Sequence, residues 1–213
     1  MSASAHGRLI VVLNLNPSAT TRAGTRRIVR ALQRLSPTRV VERHFLRIES
    51  GDLADASAVV LGPQGVPFDA YPAPHREHLF GLIRELTDSG PPVLGICGGH
   101  QALVLALGGA IGPVHGGVAT GSYAGHRKEA GLRHVQANGP VEDPVVLSGD
   151  YVVSHVEGVT ALPAGLECVG AGDPCAIQAV RRPGRPVWGV QFHPERGADG
   201  TELLRRFLAL VRY

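Results

Sequence analysis

Short runs of apolar residues alternate with segments of helical periodicity through the first half of the chain. Continuous apolar runs are typical of strands that are buried on both faces, whereas apolar residues spaced three and four apart are typical of an amphipathic helix. Such alternation predicts strand–helix–strand units, and therefore a mainly parallel sheet with helices on both faces. The predicted strands cover residues 9–13, 39–45, 57–61 and 93–96, and the predicted helices cover residues 25–35, 74–88 and 101–107.

In the second half the pattern changes to short strands joined by turns, which predicts a smaller β-rich extension of the α/β fold. Residues 112–125 are rich in glycine and turn residues, and we expect them to cross a surface or cover a site. The length predicts a single domain over residues 1–213. The predicted strands here cover residues 134–137, 145–148, 151–154, 167–170, 176–179 and 187–191, and a final helix covers residues 202–213.

The composition is that of a globular protein and narrows the function classes. Of 213 residues, 44% are hydrophobic and 18% are charged, which allows a sizeable core. The basic residues behind the net charge of +3 are scattered and lack interleaved aromatic residues, so we expect no nucleic-acid binding. The apolar runs are far shorter than the roughly 20 residues of a membrane span, and the first residues lack the features of a secretory signal. We therefore predict a cytoplasmic protein without membrane contact.

A cysteine lies where a predicted buried strand meets a helix, in the sequence PVLGICGGHQALVLALGG. On such a turn the sulfur of Cys97 would project into accessible space, and the positive end of the helix dipole would stabilise a thiolate. The N–H of Gly98 could then point at an oxyanion formed on the carbonyl that the sulfur attacks. Three cysteines leave at least one free thiol. The alternative is that Cys97 is a small core residue.

A histidine and a glutamate near the end of the chain can complete this chemistry. A nucleophilic thiol needs a base that accepts and returns a proton, and the segment VWGVQFHPER supplies His193 with Glu195 two residues later. Alternation along a strand would place both at one strand end, where Glu195 could fix the tautomer of the imidazole and support an imidazolium. The alternative is an ion pair on the surface.

Two motifs together resemble those of the class I glutamine amidotransferase family. The first is a nucleophile elbow over residues 95–101 with the spacing Gly-x-Cys-x-Gly-x-Gln, and the second is the run Gly-Val-Gln-Phe-His-Pro-Glu over residues 189–195. The resemblance implies a flavodoxin-like fold and a catalytic triad of Cys97, His193 and Glu195.

The resemblance also implies roles for residues around the triad. It implies that Gln101 contacts the substrate, and that Gly62, in the segment LGPQG, supplies a second oxyanion N–H beside that of Gly98. Ser154 and His155 resemble the substrate-side segment of the glutaminase domain of GMP synthetases, so we expect them at the substrate. A three-residue segment at 114–116 is similar to one in anthranilate and aminodeoxychorismate synthase glutaminases.

Several positions depart from the family's pattern. Asn14 and Asn16 stand in a segment where many members carry an aspartate before a serine, so they are left out of the predicted site. Gln64 stands in place of a frequent glycine, and Gly98 in place of a usually larger residue. We expect these two changes to alter partner gating or the fit of the substrate.

The resemblance implies a glutaminase subunit that hydrolyses L-glutamine to glutamate and ammonia through a thioester on Cys97. Because nothing in the chain resembles an ATP pyrophosphatase, a chorismate-binding domain or a P-loop, we expect a separate synthase subunit to accept the ammonia. We predict no cofactor and no metal, since the spacing of Cys168 and Cys175 does not suit a metal site. Two alternatives remain: a self-sufficient hydrolase of γ-glutamyl amides, and a non-catalytic regulatory subunit of the same fold.

Overall fold

The fold is built on one large mixed sheet, and the computed structural model describes residues 9–117, 119–139 and 145–211 of the chain. Within those residues the helices are α1 (Ala23–Leu35), α2 (Ala73–Ser89), α3 (Gly98–Ala106) and α4 (Ala198–Ala209). The strands are β1 (Leu9–Asn14), β2 (Arg39–His44), β3 (Ala58–Leu61), β4 (Val93–Ile96), β5 (Ala110–Pro113), β6 (Glu129–Ala137), β7 (Gly149–His155), β8 (Glu157–Ala161), β9 (Glu167–Ala171), β10 (Ala179–Arg182) and β11 (Val187–Val190).

In the part of the chain that the structure describes, the large sheet has nine strands in the order β2-β1-β3-β4-β11-β10-β9-β6-β7. The strands from β2 to β11 in this order pair in parallel. The remaining strands continue the sheet with antiparallel pairs, and β5 pairs with β8 in a separate small sheet. The predicted flavodoxin-like fold, with a mainly parallel centre and a β-rich extension, is confirmed.

The two faces of the central sheet carry separate hydrophobic clusters. In β1, Ile10 and Val12 belong to the cluster that α1 and α4 cover, whereas Val11 and Leu13 belong to the cluster that α2 and α3 cover. Both sets are buried, because successive side chains of a strand point to opposite faces of a sheet. Helices on both faces therefore explain why the parallel strands are continuous apolar runs. None of the described helices has the length and apolar character needed to cross a membrane.

The structure corrects several predicted elements in the second half. Residues 145–148 form no strand, and the apolar signal there arises because Val145 and Val146 are buried in the core. The strand predicted at 176–179 begins only at Ala179, beside an irregularity in its pairing with β9. Strands β5 and β8 were not predicted, because glycine and proline weaken the strand signal in both the sequence AIGP and its partner EGVTA.

All four described helices differ from their predicted boundaries, α1 and α2 by one or two residues and the other two by more. Helix α3 begins at Gly98 rather than at residue 101. The prediction missed this first turn because it contains two glycines, which have poor helix propensity. Helix α4 covers Ala198–Ala209 rather than residues 202–213, and residues 212–213 lie outside the described part of the chain.

Candidate active site

Three neighbouring parallel strands, β3, β4 and β11, end at one place on the edge of the sheet. Residues 62–65 follow β3, Cys97 follows β4, and residues 191–195 follow β11. In open α/β sheets, ligands bind outside the carboxyl ends of the strands. The fold therefore brings the two sequence motifs together from positions nearly a hundred residues apart.

Cys97 forms a strained turn between β4 and α3. Its backbone has φ 53° and ψ −105°, and it is the single non-glycine residue with positive φ among those the structure describes. Its N–H donates a 2.8 Å hydrogen bond to the carbonyl of Val190, which ties the turn to β11. A Cβ atom on Gly95 would lie 2.7 Å from the carbonyl oxygen of Gly99, so the turn needs glycine there. This is the geometry of a nucleophile elbow.

His193 and Glu195 lie beside Cys97. The His193 N–H donates to the carbonyl of Val152 at 2.8 Å, which fixes the loop after β11 against β7. The His193 Nδ1 lies 2.9 Å from Glu195 Oε1, and the glutamate side chain is only 1% exposed. The Cys97 side chain raises the pKa of His193, so it lies near the ring. The structure thus brings the three predicted triad residues together.

The charges of these groups support one another. Burial alone lowers the pKa of His193, but the charge of Cys97 and the hydrogen bonds to Cys97 and Glu195 outweigh burial and raise that pKa to about 10. The His193 ring is therefore protonated at neutral pH. It places a proton donor and a positive charge beside the sulfur, which are the surroundings that a nucleophilic cysteine requires.

The two predicted oxyanion donors differ in what their N–H groups contact. Gly98 is the first residue of α3, so its N–H belongs to the unpaired N-terminal turn of that helix. The N–H of Gly62, in contrast, donates a 2.9 Å hydrogen bond to the carbonyl of Leu13 and so continues the pairing of β1 with β3. For Gly62 to supply the second donor, as predicted, this hydrogen bond to Leu13 would have to break.

The next residues of the same loop offer another candidate for the second donor. Pro63 has no N–H, and the N–H of Gly65 donates to Asn16 Oδ1 at 3.0 Å. The backbone nitrogen of Gln64 lies only 2.6 Å from the position that a Cβ atom on Gly98 would take. Gln64 therefore has a backbone nitrogen beside the turn after Cys97, and a side chain at position 98 would displace it.

A cavity of about 270 Å³ opens beside Cys97. This volume suits a small ligand, since pockets for drug-sized ligands run from about 300 to 1,000 Å³. The predicted substrate residues Gln101, Ser154 and His155 all line the cavity. The other lining residues are Gln64, Gly65, Tyr123, His126, Lys128, Val156 and Glu157.

Gln101 is already bonded within the protein. Its Nε2 donates to the carbonyl of Glu157 at 2.6 Å and to Gln191 Oε1 at 3.1 Å, and its Oε1 accepts from Gln64 Nε2 at 3.3 Å. Gln101 therefore fixes the wall of the cavity as well as facing it. The ring of His155 is likewise directed inward, with Nδ1 2.9 Å from the Glu157 carbonyl oxygen.

The sequence-based prediction missed His126 and three further polar side chains of the cavity. The Tyr123 hydroxyl donates to Glu157 Oε2 at 2.7 Å and accepts from Gln64 Nε2 at 3.2 Å. Burial raises the pKa of the Glu157 carboxyl group. Lys128, the one lysine of the whole chain, is the third. Two signals in the sequence could have indicated these residues. Tyr123 is a lone tyrosine in the glycine-rich segment, and Lys128 is a lone lysine in an arginine-rich sequence.

Comparison with known proteins identifies the family. The family described as glutamine amidotransferase class-I matches residues 23–211, a range that includes both motifs. The chain belongs to this family. The resemblance on which the site prediction depends is thereby confirmed. In this amidotransferase the first motif forms the turn at Cys97, and the second forms the end of β11 and the loop that carries His193.

Among the relatives of this amidotransferase is one subunit of the glutamine-hydrolysing GMP synthase from Methanosarcina barkeri. It is 35% identical over 155 residues, which is 70% of this chain and 74% of that protein. Two solved structures share the fold. A Thermoplasma acidophilum protein assigned as a GMP synthase subunit has a TM-score of 0.72 at 22% identity, covering 97% of this chain and 94% of that one. A glutamine amidotransferase from Thermotoga maritima has a TM-score of 0.71 at 18% identity, covering 98% and 100%.

Proposed function

We propose that this amidotransferase is a glutaminase that hydrolyses L-glutamine to glutamate and ammonia with Cys97 as the nucleophile. The observation that carries the proposal is the juxtaposition of Cys97, held on its elbow, with the buried His193–Glu195 pair. Cys97 lines a cavity large enough for a small ligand. Family membership and the GMP synthase relative support a glutaminase role.

The geometry supports a mechanism in two steps. The Cys97 thiolate attacks the side-chain amide carbon of glutamine, and the oxygen of the tetrahedral intermediate accepts hydrogen bonds from the N–H groups of Gly98 and Gln64. His193 then gives its proton to the departing ammonia, which leaves a glutamyl thioester. In the second step His193 takes a proton from water, and the resulting hydroxide releases glutamate from the sulfur.

The cavity walls carry charges that match an amino acid substrate. We place the α-ammonium group of glutamine near the Glu157 carboxylate and its α-carboxylate near the Lys128 ammonium. Gln101, Ser154 and His155 would form the polar wall between them. This arrangement would hold the side-chain amide of glutamine toward Cys97 and explain a preference for a free amino acid over a peptide.

A separate synthase subunit is the proposed acceptor of the ammonia. Ammonia is protonated near neutral pH and is then no longer a nucleophile, so a glutaminase is useful when the product passes directly to a partner. The Methanosarcina barkeri relative is one subunit of a GMP synthase. We propose the same division of labour here, with a synthase encoded on another chain.

The proposal is tested by measuring glutamate release from L-glutamine by the purified protein, with and without a candidate synthase. We expect release that Cys97→Ala abolishes and that the matched variant Cys168→Ala retains. Faster turnover of γ-glutamyl amides of larger amines would instead support the self-sufficient hydrolase.

A second measurement distinguishes an enzyme that is active only with its synthase partner from a protein that has no activity. A glutamine analogue with an electrophilic γ-carbon should add its mass to wild-type protein at Cys97 and leave Cys97→Ala unmodified. Absence of both glutamate release and labelling, with the synthase present, would support the non-catalytic alternative.

A further inference from the structure

A second cluster of cysteine, histidine and glutamate lies behind the wall of the cavity. Glu129, at the start of β6, is the cross-strand partner of His155, at the end of β7. Cys175, from the loop between β9 and β10, packs so closely on the neighbouring strand that a Cβ atom on Gly158 would lie 2.6 Å from its Sγ. One carboxylate oxygen, one ring nitrogen and the sulfur all lie within 4.8 Å of one another, and all three residues are buried.

The hydrogen bonds of His155 determine which ring nitrogen is free. Its Nδ1 lies 2.9 Å from the carbonyl oxygen of Glu157, and a carbonyl only accepts, so Nδ1 carries the proton. In the neutral imidazole the lone pair is therefore on Nε2. Metal-bound histidines in proteins have this arrangement, in which the other ring nitrogen donates to a carbonyl or carboxylate.

The free nitrogen faces another acceptor. His155 Nε2 lies 3.2 Å from Glu129 Oε2, and neither atom has a hydrogen-bond partner of acceptable geometry. The side chains are 2% and 0% exposed, so water does not reach them freely. Two lone pairs that face each other in the interior are unfavourable unless a proton or a cation lies between them.

A cation would satisfy the cluster better than a proton shared by two of its members. The three donor atoms lie within 4.8 Å of one another and all three residues are buried, so one ion could contact all of them. A bound metal ion deprotonates a coordinating thiol and supplies the charge that the buried carboxylate lacks.

We propose that Glu129 Oε2, His155 Nε2 and Cys175 Sγ bind one Zn²⁺ ion. Nitrogen, sulfur and carboxylate oxygen are the ligands that zinc accepts, and a site with three protein ligands leaves the fourth position to water. The remaining oxygen of Glu129 accepts from Arg133 Nε at 3.2 Å, which orients the carboxylate. Cysteine spacing gave no sign of this site, because its ligands come from three separate segments.

The ion would act on the shape of the cavity rather than on the reaction. Lys128 directly precedes the proposed ligand Glu129, and the carbonyl of Glu157 accepts a hydrogen bond from the ring of the proposed ligand His155. A metal ion that joins β6, β7 and the loop after β9 would hold both of these cavity residues in place. Metal binding is measured without substrate, so the test of this site does not depend on whether the proposed glutaminase reaction occurs.

The test is a titration of Cys97→Ala protein, freed of metal by chelation, with Co²⁺ as a spectroscopic substitute for zinc. Removing the catalytic thiol leaves Cys168 and Cys175 as the thiols of the chain. We expect a thiolate-to-cobalt charge-transfer absorption that saturates at about one equivalent and disappears when Zn²⁺ is added. Adding Cys175→Ser should abolish the absorption, and the matched change Cys168→Ser should leave it intact.

Three outcomes would overturn the proposal: no charge-transfer absorption in the Cys97→Ala protein, absorption that survives Cys175→Ser, or absorption that Cys168→Ser removes. If Cys175→Ser does not fold, Glu129→Gln replaces it, because it keeps the size of the side chain and removes the anionic ligand. Weaker cobalt binding by a folded Glu129→Gln protein supports the site. Unchanged binding contradicts it, as the carboxylate would then not be a ligand.

Discussion

At the scale of single residues, the proposed nucleophile, Cys97, is held in a backbone conformation that its own side chain disfavours. A non-glycine residue in a sparsely populated region of φ and ψ costs about 1–3 kcal/mol. The 2.8 Å bond from the Cys97 N–H to β11 and the helix that follows keep the turn in place despite this cost. Placing a thiol on this turn therefore lowers the stability of the fold.

We therefore expect Cys97→Gly to be more stable than Cys97→Ala by about 1–2 kcal/mol, although both lack the thiol. Glycine adopts φ 53° without strain, whereas alanine does not. The free energies of unfolding from urea denaturation give the comparison. Equal stabilities would mean that the turn relaxes once the sulfur is gone.

The protonation of His193 depends on the neighbouring sulfur. We expect Cys97→Ala to lower the pKa of His193 from about 10, because the charge of Cys97 is the largest of the effects that raise it and burial opposes it. In the wild type the ring then stays protonated through neutral pH and loses its proton only as the pH approaches 10. In the variant it loses the proton at lower pH.

NMR titration of the imidazole nitrogens measures both values. Cys168→Ala is the matched control, since that sulfur is not among the groups that shift the His193 pKa. A His193 pKa that is the same in wild type and Cys97→Ala would contradict the ion pair.

The N–H of Gln64 gives a test of the revised oxyanion site. Gln64→Pro removes that N–H, and we expect kcat for glutamine to fall by about 100- to 1,000-fold, the usual cost of one oxyanion donor. Gln64→Ala keeps the N–H and loses only the side-chain bonds to Gln101 and Tyr123, so it should retain far more activity. Circular dichroism would verify that the proline variant is folded, and a folded variant with wild-type kcat would contradict the assignment.

At the scale of elements, the glycine-rich segment contacts the cavity through one hydroxyl group. We expect Tyr123→Phe to raise the KM for glutamine by about tenfold with a smaller effect on kcat, because the hydrogen bond to the Glu157 carboxylate is lost. Steady-state glutaminase kinetics measures the split. Ser122→Ala is the neighbouring control, since Ser122 bonds only within its own turn, to the N–H of Ala124. A kcat effect that exceeds the KM effect would place Tyr123 in the chemistry instead.

The elements that could be predicted are those whose signal is local. Strands such as β1 and β4 are buried on both faces, so their apolar runs are visible in the sequence alone. Strands β5 and β8 exist because they pair with each other, and this tertiary contact overrides the weak strand propensity of glycine and proline. Apolar residues 145–146 show the converse, since burial without strand pairing gives the same local pattern.

At the scale of the whole molecule, the site residues that lie within continuous motifs can be predicted from the sequence. Those that the fold brings together from separate segments cannot. The proposed triad residues stand in two continuous motifs, so the sequence alone predicts them. Glu157 and Tyr123 come from segments that only the folded chain brings together. The hydrogen bond of Gly62 is hidden for the same reason, because a glycine in a sequence does not reveal that the sheet already uses its N–H.

Two cysteine–histidine–glutamate groups of opposite character lie among the described residues, and they should respond differently to oxidants. In metal-free protein, peroxide should convert Cys97, which lies beside the protonated His193, to a sulfenic acid before it oxidises Cys175, whose raised pKa keeps it a thiol. Mass spectrometry of tryptic peptides after brief peroxide treatment would show one added oxygen at residue 97 and none at residue 175. The proposed glutaminase activity would then be lost with the fold intact and restored by a reductant, so oxidation at Cys97 would act as a reversible block of the proposed active site.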